Sequence, residues 1–401
     1  MALGGLSGMS APTHVASELV VLALNSGSSS LKFGLYRVGL TNADLLLTGE
    51  AEAISGEGSR FHAEDLRNNV RLAETAPIGD QKDAITRIGK FLDDSSAPAP
   101  VAIGHRVVHG GPKLRQHCLI DEQVMHQLDA ASAFAPLHTP AALSVIRFAR
   151  EHFPALPQIA CFDTTFHNDL PDVARVLPIP RELQAEGIQR YGFHGLSCES
   201  ILHQLGDDRP GRLIIAHLGN GASVTAVRNG KSIDTSMGLT PSGGLVMGTR
   251  SGELDPGVLI YLMREKKMDP VKLEDVVDRR SGLLGISGIS SDMRRLHEAA
   301  STSVDARLAI DMFCYSVRKQ IAAMIAVLGG AELIVFTGGI GENDGEVRGA
   351  ICGGLDWAGV VLEDERNDRY TPLCRARVFA SQEDEQIARH TRAFALRGLS
   401  R

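Results

Sequence analysis

Hydrophobic positions along this chain follow two kinds of pattern, short apolar runs and helical spacing, which predict strands and helices respectively. Residues 20–24 form an apolar, β-branched run that stops at Asn25 and a Ser-Gly turn. Leu31, Phe33 and Leu35 then recur at every second position. Because such alternation is typical of a half-buried strand, this segment is predicted to be a β-hairpin rather than a strand followed by a helix.

A second hairpin of the same kind is predicted about half a chain further on. Apolar residues 213–216 lead into the glycine-rich segment 217–223, and residues 224–227 resume a strand pattern. Two similar hairpins of glycine and polar residues in one chain indicate two related domains.

Helices and strands are predicted to alternate through the rest of the chain. The predicted helices cover residues 81–92, 140–152 and 306–328, and the predicted strands cover residues 101–103, 158–162 and 333–336. Residues 337–341 are interpreted as a glycine loop, before a further helix near Glu346. This order predicts an α/β protein with glycine loops at strand ends, where open α/β sheets bind ligands.

Composition and charge narrow the possible functions. Glycine supplies 42 of the 401 residues, above the roughly 7% average, and many of the glycines are clustered. The formal net charge of −7 gives no basic surface, so no nucleic acid partner is expected, and an anionic substrate would need locally placed cations. The longest strongly apolar run, residues 321–328, is far below the roughly 20 residues that cross a bilayer, so no membrane partner is expected.

Cysteine and histidine spacing predicts no metal-binding motif. The six cysteines include no CxxC pair, which indicates reduced thiols rather than disulfides or a zinc site. His105 and His109 have the spacing of a helical metal pair, but the Glu of HExxH is absent and the flanking glycines indicate a strand end. Residues 1–17 contain no lysine, arginine or apolar core segment, so residues 1–18 are expected to be a flexible extension of a cytoplasmic protein and not a signal peptide.

Three glycine-rich segments are candidate anion-binding loops. Residues 25–32 concentrate backbone donors, hydroxyls and Lys32 on a tight turn, which suits a phosphate but is equally typical of a solvated hairpin. Residues 217–221 resemble part of a dinucleotide fingerprint, but a strand pattern follows them, and an Asn-Gly hairpin turn is the alternative. Residues 337–343 are more specific, because consecutive glycines let the backbone approach a ligand closely.

Single charged residues beside these loops are candidates for catalysis. Arg106 follows a predicted strand beside a glycine turn, which suits a carboxylate or phosphate ligand, although an arginine at the protein surface is the commoner case. Arg250 lies in the long glycine-rich segment 234–256 and is expected in a ligand cleft. Asp163 is either a site residue or a helix N-cap. His194 is either a site residue or a hydrogen-bonded structural histidine.

Eight short motifs, in order along residues 19–394, together resemble the acetate kinase (acetokinase) family of the acetate and sugar kinase/Hsp70/actin superfamily. They occur at residues 25–32, 104–111, 136–138, 162–167, 191–195, 217–221, 247–252 and 336–343. Each motif alone is weak, but eight in the same order are specific.

The resemblance implies a particular fold and assembly. The fold would be α/β, with two duplicated ribonuclease H-like (actin-like ATPase) domains that have βββαβα cores and a nucleotide cleft between them. The N-terminal domain is expected over residues 19–165, completed by a C-terminal helix at residues 384–401, and the nucleotide-binding domain over residues 166–383. A homodimer is also implied, although no pattern in the sequence indicates its interface.

The same resemblance implies reversible phosphoryl transfer from ATP to acetate, giving ADP and acetyl phosphate, with Mg²⁺ or alternatively Mn²⁺. The implied catalytic residues are Arg106, Asp163, His194 and Arg250, with Arg106 also binding the substrate carboxylate. The implied metal ligands are Asn25 and Glu383, and the implied acyl pocket comprises Val108, Leu137, His138, Phe193 and Pro241. The implied phosphate and nucleotide contacts are Ser28, Ser30, Lys32, His217, Leu218, Gly219, Asn220, Gly221, Asp292, Met293, Arg294, Gly339, Ile340, Gly341, Glu342 and Asn343.

Two segments depart from the family pattern, and two other functions stay open. Residues 242–244 read Ser-Gly-Gly where Leu-Glu-Gly is more common, and Asp384 and Glu385 are alternative carboxylates beside Glu383. A propionate kinase would share the chemistry, but Val108 favours acetate, since a smaller residue would make room for another methylene. A non-catalytic, actin- or Hsp70-like ATP-driven switch would use the same hairpins, although no chaperone or repressor module is expected.

Overall fold

The computed structural model of the protein describes residues 18–399, with the exception of residues 28, 57, 67–69, 136–138 and 363–373. Within these residues two mixed β-sheets follow one another along the chain, and helices connect their strands.

The N-terminal sheet contains eight strands in the described residues. They are β1 (Leu19–Ser26), β2 (Leu31–Val38), β3 (Ala43–Glu52), β4 (Arg60–Asp65), β5 (Val70–Thr75), β6 (Ala102–Val107), β7 (Cys118–Leu119) and β8 (Gln158–Phe162). Their order is β5-β4-β3-β2-β1-β6-β8-β7. Strands β5 to β1 are antiparallel neighbours, whereas β1, β6 and β8 run parallel to one another.

The C-terminal sheet repeats the central part of this arrangement. Its described strands are β9 (Arg212–Leu218), β10 (Ala222–Arg228), β11 (Lys231–Thr235), β12 (Leu333–Thr337), β13 (Val360–Leu362) and β14 (Cys374–Val378), in the order β11-β10-β9-β12-β14-β13. The antiparallel set β11-β10-β9 corresponds to β3-β2-β1, and the parallel set β9-β12-β14 corresponds to β1-β6-β8. The alternation of helices and strands predicted from the sequence therefore corresponds to two sheets that share one strand order.

Helices connect these strands and cover the sheets. They are α1 (Gln81–Asp94), α2 (Glu122–Ala131), α3 (Thr139–His152), α4 (Asp172–Arg175), α5 (Arg181–Ala185), α6 (Gly195–Leu205), α7 (Pro256–Glu265), α8 (Pro270–Arg279), α9 (Gly282–Ser287), α10 (Met293–Ala299), α11 (Val304–Leu328), α12 (Gly338–Asn343), α13 (Gly345–Cys352) and α14 (Glu383–Leu399). The side chains of Asp80 and Ser303 accept backbone N–H bonds at the first turns of α1 and α11, which fixes where these helices start. None of the described helices is both long and apolar enough to span a bilayer.

One predicted loop is a helix in the structure. Residues 337–341 were expected to form an irregular connection, but α12 begins immediately after β12. Gly338 has a φ of 78°, so glycine is needed at the turn itself. The Glu342 carboxylate accepts a hydrogen bond from Gly338 N over 2.9 Å, which satisfies a backbone N–H at the start of the helix.

The C-terminal helix α14 packs on the N-terminal sheet. Ile387 and Ala388 are fully buried in a cluster with Val21 and Ala23 of β1. Gly104 on β6 permits the close approach, because a Cβ there would lie 2.0 Å from Thr391 Oγ1. Burying a large apolar side chain such as Ile387 contributes about 1.5–3 kcal/mol. This packing places the first turn of α14 beside the end of β1.

Candidate active site

A cavity of about 990 Å³ is lined by residues at the strand ends of both sheets. From the N-terminal sheet and its connections, the predicted residues that line it are Asn25, Ser30, Lys32, Arg106, Val108 and Asp163. From the rest of the chain, they are Phe193, His194, His217, Gly219, Asn220, Gly221, Pro241, Arg250, Gly339, Glu342 and Glu383. Residues from seven of the eight motifs are thus brought together in one place, and the eighth, residues 136–138, lies outside the described residues.

Some predicted site residues lie elsewhere. Those away from the lining are Leu218, Asp292, Met293, Arg294, Ile340, Gly341 and Asn343, whereas Ser28, Leu137 and His138 fall outside the described residues. Asp292 caps α10 and pairs with the exposed Arg294 at 2.7 Å, and Met293 is buried in the C-terminal core. In this structure the side chains of Asp292, Met293 and Arg294 therefore stabilise the start of α10, at the surface or in the core.

The β1–β2 hairpin places Asn25 beside the start of α14. Asn25 lies opposite Lys32 in the hairpin, and Gly27 N donates to Ser30 O over 2.8 Å to close the turn. Asn25 Nδ2 donates to Asp384 Oδ1 at 2.7 Å, with Glu383 Oε2 at 3.4 Å. The hairpin and the last helix therefore meet through one amide and two carboxylates.

These three side chains have the donor chemistry of a magnesium site. Carboxylate and amide oxygens are the ligands that Mg²⁺ prefers in proteins. The Asn25 amide nitrogen, which carries partial positive charge, lies within hydrogen-bonding distance of both carboxylates, as a small cation would. Burial opposes ionisation of Glu383, yet the positive charge of Arg106 holds the pKa of this carboxyl below its usual value. The residues thus fit the predicted metal site, with Asp384 joining the predicted Glu383.

Arg106 on β6 forms an ion pair with Asp163, which directly follows the parallel strand β8. Arg106 lies opposite Cys161 in the β6–β8 register, and its Nε and Nη2 lie 2.9 and 2.7 Å from Asp163 Oδ2. Burial raises the pKa of Asp163 above its usual value, whereas the positive charge of Arg106 acts in the opposite direction and favours the carboxylate. Asp163 Oδ1 has no hydrogen-bond partner among the described residues. The side chain is therefore held by Arg106 and does not act as a helix cap.

Two histidines stack face to face in the cavity. The ring centroids of His194 and His217 are 4.1 Å apart. Their Nδ1 atoms are bonded to Ser223 Oγ and Ser197 Oγ, at 2.9 and 2.8 Å respectively. Burial lowers the pKa of both imidazoles, and the pKa of His194 falls well below 6.5 with the help of the stacked ring and nearby arginines. The cavity therefore contains two neutral imidazoles at neutral pH.

Arg250 lines the same cavity and belongs to residues 236–255, a segment that contains no helix or strand. Gly248 N donates to Asn220 O over 3.1 Å, which anchors this segment to the β9–β10 hairpin. Arg250 Nη1 donates to Pro241 O over 3.1 Å. A Cβ on Gly221 would lie 3.2 Å from Arg250 Nη1 and 3.3 Å from His194 Nε2, so both groups converge on this glycine.

An apolar wall adjoins these cations. Val108 and Phe193 are 4% and 1% exposed, and with Pro241 they line the cavity that also contains Arg106 and Arg250. A small carboxylic acid has both an anionic end and an apolar end, and the described lining offers a surface for each.

Sequence reasoning missed the residues that hold the others in place. Ser197 and Ser223 fix the two imidazoles, and Ser381 Oγ donates to Ser197 Oγ over 3.2 Å. Ser381 N and Gly338 N both donate to Glu342 Oε1 over 2.9 Å, so Glu342 joins α12 to the segment before α14. Serines of this kind carry no signal in a single sequence, because their partners are distant along the chain.

The duplicated strand order, with a polar cavity at the strand ends, defines an α/β protein of the actin-like ATPase fold. The sequence matches the acetokinase family over residues 20–390. This chain belongs to the acetokinase family.

Relatives of known name agree with this assignment. The chain is 42% identical over 395 residues to an acetate kinase of Methylocella silvestris, covering 93% of this chain and 97% of that protein. It is 41% identical over 394 residues to an acetate kinase of Clostridium botulinum, covering 93% and 98% respectively. These matches confirm the resemblance read from the motifs.

Solved structures agree as well. A propionate kinase from Francisella tularensis has a TM-score of 0.85 at 37% identity, covering 94% of this chain and 99% of that one. An acetate kinase from Porphyromonas gingivalis has a TM-score of 0.81 at 33% identity, with coverage of 94% and 99%. The predicted fold class is confirmed by these neighbours.

Proposed function

We propose that this protein transfers the γ-phosphoryl group of ATP to acetate, giving ADP and acetyl phosphate, and catalyses the reverse reaction. The observation that supports this most directly is the convergence of Arg106, His194 and Arg250 in one cavity beside an apolar wall. Membership of the acetokinase family supplies the substrate pair.

The inventory of side chains suits this chemistry. A carboxylate with a pKa of about 4–5 is already ionised at neutral pH, so the reaction needs no strong general base. One acetate oxygen forms a bond to phosphorus while the bond from phosphorus to the ADP oxygen breaks. The barrier lies in bringing two anions together and in the charge on the transferred group, which positioned cations and donors stabilise.

We assign Arg106 to the acetate carboxylate and Arg250 with His194 to the transferred phosphoryl group. Asp163 fixes the Arg106 guanidinium before the substrate arrives, through two short contacts to one oxygen. In a chain of net charge −7, Arg106 and Arg250 place positive charge beside the anionic substrates. Their burial strengthens each electrostatic interaction, because the surrounding dielectric is low.

We assign the metal to Asn25 and Glu383, with Asp384 as a further carboxylate. A Mg²⁺ ion held by these residues would neutralise part of the charge of the substrate phosphates. The Asn25 amide would rotate to present its oxygen in place of the N–H groups that it now donates to the carboxylates. Ser30 and Lys32 lie on the same hairpin and are assigned to the phosphates.

The nucleotide is assigned to the C-terminal half of the cavity. Glycines 219, 221 and 339 line it. Because glycine has no side chain, a phosphate or a flat base can come close to the backbone there. Helix α10 begins at residues 292–294, and near its other end His297 Nε2 lies 2.8 Å from Asp344 Oδ2, the residue that caps α13. We place the adenosine on the side of residues 292–294.

Propionate is the second candidate acceptor, and the Francisella tularensis neighbour is the observation that favours it. Val108 lines the cavity and is 4% exposed, so its methyl groups limit the space beside the acyl chain. Pockets of this type distinguish one methylene by about 1–3 kcal/mol. We propose a preference for acetate on this ground.

We also propose a homodimer. Apolar side chains that are about half exposed concentrate on α7 and the first half of α11, among them Ile260, Tyr261, Leu308 and Tyr315, at 57%, 49%, 47% and 61%. Large apolar side chains exposed in groups on a helix are typical of protein–protein interfaces. A second copy of this chain is the partner that the family suggests.

Trapping of acyl phosphate tests the proposed reaction. The full chain is incubated with ATP, Mg²⁺, acetate and hydroxylamine, and the hydroxamate is measured by its colour with iron. We expect hydroxamate to depend on both ATP and acetate. ATP hydrolysis without acetate-dependent hydroxamate would instead support an ATP-driven switch and refute the kinase. Equal kcat/KM values for acetate and propionate would refute the acetate preference alone.

A further inference from the structure

The two ring nitrogens of His194 have different surroundings. Nδ1 points away from the cavity and lies 2.9 Å from Ser223 Oγ. Nε2 points to Gly221, where Arg250 Nη1 also converges, and no described residue forms a hydrogen bond with it. A neutral imidazole carries one proton. If the proton is on Nε2, the ring offers the cavity a hydrogen-bond donor, and if it is on Nδ1, the ring offers an acceptor.

The surroundings of Ser223 determine that choice. Ser223 is fully buried, and among the described residues its hydroxyl has no hydrogen-bond partner besides His194 Nδ1. A buried hydroxyl is expected to use its single proton, because an unmade bond cannot be replaced by water. The proton therefore lies between Oγ and Nδ1 as a bond donated by the serine, and the imidazole proton belongs to Nε2.

The backbone on both sides keeps this contact in place. Ser223 lies in the β9–β10 ladder, paired with His217, whose ring stacks on His194. His194 has a left-handed backbone, with φ of 57°, directly before α6, and Cys198 N donates to its carbonyl oxygen over 3.0 Å. Since neither element can shift freely, the serine and the imidazole are positioned before any substrate binds.

The neutral form of the ring is required for this arrangement. An imidazolium would place a further positive charge beside Arg250 and Arg106 and against the His217 ring, and burial adds to this cost. A neutral ring carries a single proton, and the hydrogen bond from Ser223 determines which of the two ring nitrogens carries it.

We propose that Ser223 is a positioning residue that holds His194 as the Nε2–H tautomer, so that this nitrogen donates a hydrogen bond to the transferred phosphoryl group. This inference rests on the proposed phosphotransferase function. It adds to that function a residue that does not line the cavity and acts only through the imidazole.

Nitrogen NMR tests the tautomer without reference to activity. The full chain is labelled with ¹⁵N-histidine, and long-range ¹H–¹⁵N correlations report which ring nitrogen is protonated. His194 is assigned by the signal that disappears in His194→Asn. We expect the Nε2–H pattern in the wild type and a mixture with the Nδ1–H pattern in Ser223→Ala. An Nδ1–H pattern in the wild type would overturn the proposal.

Kinetics tests the consequence. Loss of one preorganised donor costs roughly 10²–10³-fold in kcat, so a partial change of tautomer in Ser223→Ala is expected to lower kcat by about tenfold or more. The KM values for acetate and ATP should change by less than about twofold, because Ser223 touches neither. Ser223→Thr keeps the hydroxyl and should restore most of the loss.

Thr225→Val is the matched control. It removes a second buried hydroxyl on the same strand, one that bonds Thr235 at 3.0 Å and no histidine. We expect its kcat to stay close to wild type. Equal losses in Thr225→Val and Ser223→Ala would show a merely structural effect and refute the proposal. Failure of the wild type to form hydroxamate would refute the kinase itself and would leave the NMR result to decide the tautomer.

Discussion

Arg106 directs two nitrogens at a single oxygen of Asp163, so that the guanidinium is fixed while the other carboxylate oxygen stays unpaired in the described structure. Arg106 is on β6 and Asp163 directly follows the neighbouring parallel strand β8, so the strand pairing holds both residues close together. Asp163 is fully buried, whereas the Arg106 side chain is 17% exposed towards the cavity. A carboxylate left alone at Asp163 would have no compensating water.

Removal of one partner of this pair should therefore cost both stability and activity. Breaking a buried ion pair destabilises proteins by about 3–5 kcal/mol, because one charge remains unpaired. We expect Arg106→Ala to lose about 3 kcal/mol in urea unfolding, and the Arg106→Ala/Asp163→Ala double variant to lose clearly less than the sum of the single changes. Additive losses would contradict the pairing.

Arg250 offers a test of charge stabilisation on the transferred group. Arginines that act on phosphoryl transfer contribute about 10³–10⁵-fold to kcat. We expect Arg250→Ala to lower kcat by about 10³-fold in the hydroxamate assay, with a smaller loss in Arg250→Lys. Arg71→Ala, which removes an arginine with a side chain 74% exposed on the N-terminal sheet, should leave kcat unchanged. Near-normal turnover in Arg250→Ala would remove Arg250 from the mechanism.

Val108 should set the length of the acyl group. In Val108→Ala the removed methyl groups leave space for one more methylene, which is worth about 1–3 kcal/mol in such pockets. The ratio of kcat/KM for propionate over acetate should therefore rise by about tenfold or more. Val107→Ala is the matched control, because Val107 is buried in the separate core cluster around α2 and β8. An unchanged ratio in Val108→Ala would exclude this residue from specificity.

The helices and strands were predictable because apolar residues recur along the buried face of each element with the period of that element. The 25-residue helix α11 was predicted to within two residues at its start from its helical spacing and the glycines that end it, whereas the Ser303 cap was not recognised. The strand β6 was predicted too short. It continues through His105 and Arg106, whose polar side chains interrupt the apolar run where the site begins.

The site was predictable as an ordered set of motifs but not as a geometry. Arg106 and Asp163 are 57 residues apart, and His194 and Ser223 are 29 apart, so only the folded topology brings each pair together. The helix α12 was missed for a related reason. Its glycines predict a loop, whereas the bonds from Arg348 Nη1 to the carbonyl oxygens of Gly341 and Glu342 support the helical backbone from outside.

A charged side chain introduced on the exposed apolar surface of α7 should disrupt the proposed dimer. A carboxylate at Ile260 would be buried without a partner if a second copy covers this face, and such burial is costly. We expect Ile260→Asp to shift the protein from dimer to monomer in size-exclusion chromatography with light scattering. Val173→Asp, on α4, places the same charge at a residue that is 95% exposed and should leave the mass unchanged. A monomeric wild type would contradict the proposed assembly.

The buried histidines should make the fold sensitive to acid. Burial lowers the pKa of His105, His109 and His167 to about 4, against about 6.5 in an unfolded chain. Between these values the unfolded chain binds protons that the folded chain does not. The stability that each neutral histidine provides is therefore complete above about pH 6.5 and is lost as the pH falls towards 4, at up to about 1.4 kcal/mol per pH unit.

His105→Gln isolates one of these contributions. His105 is on β6, and its Nε2 lies 2.7 Å from Gln158 Oε1, so glutamine retains a polar group at a buried position. Urea unfolding between pH 7.5 and 5 should show a weaker pH dependence in this variant, by about one proton near pH 5, whatever its absolute stability. His126→Gln, at an exposed position on α2, should keep the wild-type slope. If the slopes of wild type and His105→Gln coincide, His105 is protonated in the folded protein over this range and the buried neutral form is wrong.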